Sequence, residues 1–111
     1  MRYLASTFSP SMLTPGADLT ATVKEINLKQ LKSELAHSDY ISAVGHEVTA
    51  ERLSSLGIQV TYNRVNLLLK EGDVVYSAIP NLRYNEPREF TKDEVVSAMF
   101  RYFIIYISKN N

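Results

Sequence analysis

The sequence predicts an α/β (α+β) domain in which a mixed β-sheet of about five strands is flanked by helices. Two observations carry this prediction. From Asp18 to Ile26, apolar and polar residues alternate with the period of two that a half-buried strand requires. From Leu28 to Ala36, leucines recur at helical spacing directly after Asn27, a residue type favoured at the N-cap. Strand and helix signals therefore follow one another along the chain.

The first half of the chain begins with a short strand, predicted over Tyr3 to Thr7. A loop rich in proline and glycine then precedes the strand and helix described above. The next apolar run stops at Gly45, and a second helix is predicted from His46 to about Leu56, closed by Gly57 at the C' position. The stripe that packs inward from this helix consists of Ala50, Leu53 and Leu56. A strand or tight turn that ends on Gly45 is thus predicted between the two helices.

A β-hairpin is predicted in the second half. Apolar and polar residues alternate from Arg64 to Lys70, which favours a strand. The sequence Glu71-Gly72-Asp73 is typical of a tight turn, so Val74 to Ile79 is expected to be the antiparallel partner of that strand. Pro80 ends this partner strand or confines it to a sheet edge.

The chain is predicted to end with a loop, a helix and a strand. Asn81 to Phe90 is polar and reads as an irregular loop. Thr91 and Glu94 match a capping box, which predicts a short helix to about Ala98. Phe100 to Ser108 is rich in aromatic and β-branched residues and is predicted to be a buried final strand.

Composition limits the classes of function. At 111 residues the chain is expected to form a single domain, 1–111. Twelve basic residues balance twelve acidic ones, so we expect no binding of long nucleic acid through a general positive field. The chain has no cysteine, and its longest apolar run is far shorter than the roughly 20 residues that span a bilayer. No signal peptide is recognisable. We therefore expect a cytoplasmic protein without membrane contact, located in the host cytoplasm if the protein is viral.

The candidate chemistry is that of phosphodiesters. The chain has no Walker loop, dinucleotide fingerprint or paired-histidine zinc motif. The remaining set is Gly45 followed by His46, together with Arg64, Arg83 and Glu86. Arginine binds phosphate through a bidentate fork, and histidine is the residue type that exchanges a proton near neutral pH. With RNA, the 2'-hydroxyl of the substrate itself can serve as nucleophile, so the chemistry needs neither a metal nor a cofactor, and magnesium bound by carboxylates stays open as an alternative. Taken alone, one histidine and scattered arginines are also ordinary surface features.

Several short motifs occur in a fixed order. They are Phe8-Ser9, Met12-Leu13, Ser42-Ala43-Val44-Gly45-His46, Thr49-Ala50, Asn63-Arg64-Val65, and an arginine followed three residues later by a glutamate. In these motifs the chain resembles, from Tyr3 to about Glu94, the small ring nucleases encoded by archaeal viruses and bacteriophages. Those proteins act as anti-CRISPR proteins against type III CRISPR systems, and YddF-like small proteins of bacterial mobile elements are related to them.

The resemblance implies a symmetric α/β homodimer that binds cyclic tetra-adenylate across its two-fold axis. It also implies metal-independent cleavage of this ring to linear di-adenylate with a 2',3'-cyclic phosphate, which shuts off type III CRISPR signalling. A two-fold dimer presents each loop twice, which suits a cyclic ligand of even symmetry. Two copies of Arg64 and Arg83 would then supply four guanidinium groups to four phosphates, and an overall basic protein is not needed.

The resemblance also gives roles to individual residues. His46 would be the general acid, Arg83 would meet the scissile phosphate, and Glu86 would position or charge the site. The ligand-binding residues would be Ser9, Ser11, Gly45 and Arg64. For the two serines, turn chemistry is the alternative interpretation.

The chain departs from the family pattern in two loops. The family loop usually reads Gln-Arg-Leu-Glu-Glu-Gly, whereas the chain needs about one inserted residue to align Arg83 and Glu86, so Arg88 is the alternative arginine. Ser6 and Ser11 stand where many relatives have asparagine. Two further functions therefore stay open, namely a sponge that binds a cyclic nucleotide without cleaving it, and an interaction protein of a virus or mobile element that uses aromatic residues of the last strand. Whether the source is a virus, a phage or a bacterium is also open.

Overall fold

The computed structural model describes residues 1–81 and 96–110. Within these ranges the chain has the α+β architecture that the sequence predicts. The elements are β1 (Arg2–Ala5), a 3-10 turn (Pro10–Met12), β2 (Leu19–Ile26), α1 (Leu28–Ala36), β3 (Ile41–Ser42), α2 (Glu47–Ser55), β4 (Val74–Pro80) and β5 (Phe100–Lys109). Residues 96–98 are also helical. No helix in the described ranges is long and apolar enough to cross a membrane.

The five strands of the described residues form one mixed sheet in the order β2-β5-β4-β1-β3. β1 pairs in parallel with β3 on one side and with β4 on the other, where Ala5 lies opposite Ser77. β5 runs antiparallel to both β4 and β2. Because β1, β3 and β4 are parallel, their carboxyl ends meet at one edge of the sheet, which we call the carboxyl edge. In open sheets with parallel strands, ligands bind at this edge.

One face of the sheet is covered by the two helices. Leu31 of α1 and Leu53 of α2 are fully buried against Leu4 and Tyr76 from the two central strands. The apolar residues of both helices recur every three or four positions, so each helix presents one stripe to the sheet. We call this side of the sheet the helix face. Its core holds most of the buried apolar residues of the described chain.

The opposite face of the sheet is covered by irregular segments instead of helices. Phe8 and Met12 from the first loop and Leu67 from the chain before β4 pack on a cluster that includes Ala5 and Val75. Val75 belongs to this cluster while Tyr76 belongs to the helix-face core, as the alternation of side chains along a strand requires. We call this side the loop face.

Most predicted elements are confirmed. The helix over Leu28–Ala36 has the predicted bounds, and the side chain of Asn27 accepts a hydrogen bond of 2.8 Å from the backbone N–H of Gln30. Gly57 follows α2 with a φ of +86°, which is the left-handed conformation expected of a closing glycine. The other predicted strands and the second helix differ from the observed elements by one or two residues at their ends.

The predicted hairpin is wrong, although its turn is confirmed. Residues 64–68 form no strand, and Leu69 makes a single parallel bridge to Leu13. Gly72 has a φ of +89°, and the N–H of Asp73 donates to the carbonyl oxygen of Lys70 at 3.0 Å, so a tight turn does lead into β4. Both edges of β4 are already occupied, by β1 and β5. The alternating leucines before the turn therefore cover the loop face instead of pairing with β4.

Some predictions lie outside the described residues. They are the greater part of the loop predicted from Asn81 and the capping box at Thr91 and Glu94. In the last strand, Phe100 and Tyr102 are buried in the helix-face core, whereas Tyr106 keeps 43% of its surface exposed. Most of the aromatic surface of this strand is thus buried in the core.

Candidate functional site

His46 lies at the start of α2, where the chain leaves the carboxyl edge. The apolar run that precedes it ends with Val44, which is fully buried. His46 occupies the N-cap position with an extended backbone, and its carbonyl oxygen accepts the N–H of Ala50 at 3.0 Å. Its imidazole makes no capping hydrogen bond. Among residues 1–81 and 96–110 this exposed ring has no hydrogen-bond or ion-pair partner.

The first turn of α2 adds backbone donors beside this ring. The first N–H groups of a helix have no partner within the helix, and the helix dipole places partial positive charge there. An anion at this position would be favoured. However, Glu47 in the first turn brings a carboxylate to the same end. A further positive charge would therefore strengthen the binding of a phosphate at this position.

Arg64 supplies that charge. The chain just before Arg64 is hydrogen-bonded to β3 and to Val44, at the carboxyl edge. The hydroxyl of Ser42 donates to the carbonyl oxygen of Thr61 at 2.5 Å. The backbone N–H of Asn63 donates to the carbonyl oxygen of Val44 at 2.9 Å, and its side-chain amide donates to that of Ser42 at 2.7 Å. These three hydrogen bonds place Arg64 next to Gly45.

Gly45 and Arg64 are in direct contact. A Cβ added to Gly45 would lie 3.6 Å from Cγ and 3.7 Å from Cα of Arg64, which is ordinary van der Waals contact. The φ of Gly45 is not positive, so the backbone itself does not require glycine here. The glycine instead lies directly beside Arg64, without a side chain between the two backbones. The Arg64 side chain is exposed and, within the described ranges, has no hydrogen-bond or ion-pair partner.

Ser9 and Ser11 form a second cluster, on the loop face. Their hydroxyl oxygens lie 2.6 Å apart, and either hydroxyl can donate to the other. The backbone N–H of Ser9 donates to Sδ of Met12 at 3.2 Å. The backbone N–H of Leu69 donates to the carbonyl oxygen of Met12 at 2.7 Å, which ties the first loop to the segment that begins at Arg64. The first loop and the segment that begins at Arg64 thus lie in the same layer, on the loop face of the sheet.

The structure therefore brings together some of the predicted residues. Gly45, His46 and Arg64 form one continuous surface. No hydrogen bond joins Ser9 or Ser11 to that surface within the described part of the chain. Three predicted residues lie outside the described residues, namely Arg83, Glu86 and Arg88. The chain that leads to them leaves β4 through Asn81, whose backbone N–H donates to the carbonyl oxygen of Met99 at 2.8 Å.

Two positioning residues have no role in the prediction from sequence. Ser42 and Asn63 fix Arg64 beside Gly45, although they are 21 positions apart in the chain. In the sequence, Asn63 stands out only as a member of the motif Asn63-Arg64-Val65. The sequence signal that could identify both residues is a short polar side chain next to an apolar run. In the described ranges, no cluster of three or more His, Asp or Glu side chains is arranged to hold a metal ion.

Fold and site together describe a small α+β protein with a histidine at a helix N-terminus and an exposed arginine at its carboxyl edge. A family model described as STIV B116-like matches residues 2–103, so the chain belongs to this family of small viral proteins. It is 35% identical over 75 residues to Uncharacterized protein 26 of Sulfolobus islandicus filamentous virus (isolate Iceland/Hveragerdi). That match covers 67% of this chain and 64% of the viral protein.

A solved structure shares the fold. B116 of Sulfolobus turreted icosahedral virus matches with a TM-score of 0.74, covering 95% of this chain and 97% of its own. The two sequences are 22% identical, so the match supports the architecture described above and leaves the chemistry of the site to its own residues.

Proposed function

We propose that this protein is a metal-independent ring nuclease that binds cyclic tetra-adenylate as a homodimer and cleaves it to linear di-adenylate with a 2',3'-cyclic phosphate. One observation carries the proposal. The ring of His46 has no partner in the described ranges, and it stands at a helix N-terminus beside Gly45, against which Arg64 packs. The observation supports the proposal because histidine can donate a proton near neutral pH, and a helix N-terminus and an arginine both favour phosphate.

The chemistry needs few groups from the protein. The 2'-hydroxyl of the substrate loses its proton to solvent water as its oxygen forms a bond to phosphorus, the bond from phosphorus to the 5'-oxygen breaks, and His46 protonates the 5'-oxygen as it leaves. Arg64 and the first N–H groups of α2 bind the phosphates, and Arg83 and Glu86 act at the scissile position as the family resemblance implies. A general acid contributes roughly 10² to 10⁴ to the rate. Alignment of the 2'-hydroxyl supplies a further part of the acceleration.

Exposed apolar side chains support a homodimer. Val48 follows His46 by two positions and is 56% exposed, while Tyr62 and Val65 flank Arg64 and are each almost half exposed. Apolar side chains grouped at a polar site are typical of an interaction surface. A second copy that covers them would bring two candidate sites to one cyclic ligand, in agreement with the two-fold symmetry of the ring.

The biological role follows from the substrate. Cyclic tetra-adenylate activates the defence nucleases of type III CRISPR systems, so its removal ends the response. The matched family consists of small viral proteins, which supports a role as an anti-CRISPR protein. A host off-switch would use the same chemistry.

Product analysis tests this proposal. Purified protein is incubated with cyclic tri-, tetra- and hexa-adenylate in EDTA, and the products are separated by chromatography. We expect cyclic tetra-adenylate to be converted into di-adenylate with a cyclic phosphate end. The proposal is wrong if the tetramer ring stays intact with excess protein, or if EDTA abolishes its cleavage.

A sponge that binds the ring without cleaving it is the second candidate. Among the candidate residues within the described ranges, Arg64, Gly45 and the two serines are all binding groups, and His46 alone is suited to proton transfer. The departures of the chain from the family loop at Arg83 favour this function. The same experiment separates the two candidates, because a sponge binds the ring and returns it intact after denaturation of the protein.

A further inference from the structure

Ser77 carries a buried hydroxyl that has no role in the fold. It lies in the middle of β4, opposite Ala5 on one side and Phe103 on the other, and its exposed fraction is 0%. Its Oγ has no hydrogen-bond partner in the part of the chain that the structure describes. Buried hydroxyls almost always have a partner, and each exception calls for an explanation.

The surroundings of this hydroxyl do not favour a serine. Val75 precedes it by two positions on the same face of β4 and is fully buried. Ala5 and Ala78 next to it show that an alanine fits at this depth of the sheet. An unpaired buried hydroxyl lowers the stability of the folded protein, whereas an alanine would avoid that loss. Stability alone therefore does not explain a serine at this position.

The position of Ser77 connects it to the candidate ligand loop. Tyr76 and Ala78 point into the helix-face core, so the side chain of Ser77 points to the loop face. Phe8 and Met12 pack on this face against the cluster to which Ala5, the last residue of β1, belongs. The hydroxyl thus lies on the side of the sheet that the loop carrying Ser9 and Ser11 covers, close to the carboxyl edge.

The chemistry of this location selects the type of group that can bind there. A phosphate would lose its hydration among apolar neighbours such as Val75 and Ile105 without gaining a countercharge. A nucleobase is neutral and planar, offers hydrogen-bonding atoms on its edge, and can stack on an aromatic ring such as that of Phe8. The Ser9 end of the first loop is the part that can yield to such a group, since the N–H of Ser9 is held by a thioether, which is a weak acceptor, whereas Met12 and Thr14 are hydrogen-bonded to Leu69.

We propose that Ser77 is a base-recognition residue, whose hydroxyl binds the edge of an adenine that enters beneath the first loop and stacks on Phe8. This inference rests on the proposed function and deepens it. Arg64 and the start of α2 bind the phosphates of the ring, and Ser77 binds one of its bases. The hydroxyl gains its hydrogen bond when the ligand is bound, which explains why it has none in the free protein.

Paired measurements on Ser77→Ala test the inference. We expect the melting temperature of the free variant to rise by about 4 °C or more, because an unpaired hydroxyl is removed. We expect its affinity for cyclic tetra-adenylate, measured by calorimetry in a His46→Ala background that leaves the ring uncut, to fall about 10-fold or more. The slope of affinity against salt concentration should stay as in the parent protein, since no phosphate contact is lost. Ser108→Ala, a serine on the exposed side of β5, is the matched control and should change neither property.

The possible outcomes test the base-recognition role of Ser77 separately from the proposed function. An unchanged affinity of Ser77→Ala in a protein that binds the ring overturns the base-recognition role and leaves the proposed function intact. A lower melting temperature of the free variant also overturns it, because the hydroxyl would then have a partner in the free protein. A parent protein that binds no cyclic tetra-adenylate contradicts the proposed function itself, and this inference with it.

Discussion

The two faces of the sheet are built in different ways. On the helix face, α1 and α2 present regular apolar stripes, and the core there includes fully buried residues such as Leu31 and Leu53. On the loop face, irregular segments cover a smaller cluster and are fastened by a few hydrogen bonds around Leu69 and Asn63. The candidate ligand residues Arg64 and Ser9 belong to these irregular segments. The comparison teaches that the regular face supplies most of the stability and carries His46 at the start of α2, whereas the irregular segments supply the other candidate binding groups.

The largest expected effect on stability is on the helix face. Leu53→Ala removes a fully buried side chain from α2 and should lower the free energy of unfolding by about 2 to 5 kcal/mol. Glu51→Ala in the same helix removes an exposed side chain and is the control, with a change close to zero. Urea unfolding of both variants provides the measurement. Equal losses would contradict the view that this face carries the stability.

Arg64→Ala should have its main effect on binding instead of folding. The side chain is exposed and has no partner in the described ranges, so the melting temperature should stay close to that of the parent protein. The affinity for cyclic tetra-adenylate should fall by about 10-fold to 100-fold through loss of a charged hydrogen bond. Arg64→Lys should restore affinity in part, because it keeps the charge but loses the planar fork.

Arg52→Ala removes an equally exposed arginine from the last turn of α2 and serves as the control for charge. Calorimetric titration of the three variants gives the comparison. If Arg52→Ala weakens binding as much as Arg64→Ala, the ligand responds to general charge and the specific role of Arg64 is wrong.

Asn63→Ala tests how the irregular face positions Arg64. The change removes the 2.7 Å hydrogen bond to the carbonyl oxygen of Ser42. We expect a loss of about 0.5 to 1.5 kcal/mol in stability and a weaker affinity for the ring, although Asn63 itself need not touch it. Asn66→Ala, at an exposed asparagine of the same segment, should change neither. Identical behaviour of the two variants in melting and binding would show that the hydrogen bond does not position Arg64.

The smallest effect concerns an ion pair far from the site. Arg101 binds both carboxylate oxygens of Glu25 at 2.9 and 2.8 Å, and this hydrogen bonding lowers the pKa of Glu25 below its usual value of 4.5. The pair therefore stabilises the fold above pH 4.5, and the contribution is lost as the pH falls through the lower pKa of the folded state. Both side chains are half exposed, so the contribution is small.

Glu25→Gln should accordingly lower the melting temperature only slightly at neutral pH. The difference from the parent protein should vanish in acid, where Glu25 is protonated in both states. The measurement is the melting temperature of both proteins, from neutral pH down to the acid pH at which Glu25 is protonated. A large difference at neutral pH, or one that persists in acid, would contradict the assignment of this pair as a weak surface contact.

Local signals in the sequence predict the regular elements well. Asn27 with its capping partner Gln30 marks the start of α1, and the alternation from Leu19 to Ile26 marks β2, because the physics of caps and periodicity acts over a few residues. The segment from Arg64 to Lys70 shows where this reasoning fails. Its alternation correctly indicates that Leu67 and Leu69 face the core, yet the partner of β4 is decided by β1 and β5, which are distant in the chain.

The same limit applies to the site. His46 after Gly45 is recognisable from the sequence, because the glycine and the helix start are adjacent. The contact between Gly45 and Arg64 and the missing partner of Ser77 depend on which distant segments meet, so only the folded chain shows them. Residues that position or recognise the ligand are therefore harder to predict than the residue proposed to act on it.

The most direct test of the central claim is the single-turnover cleavage of cyclic tetra-adenylate by parent protein and His46→Ala in EDTA. We expect the parent protein to cleave the ring without metal, and the variant to bind it with similar affinity while its cleavage rate falls by roughly 10² to 10⁴. Cleavage by His46→Ala at the parent rate, or loss of parent activity in EDTA, would contradict the account of His46 as the general acid of a metal-independent ring nuclease.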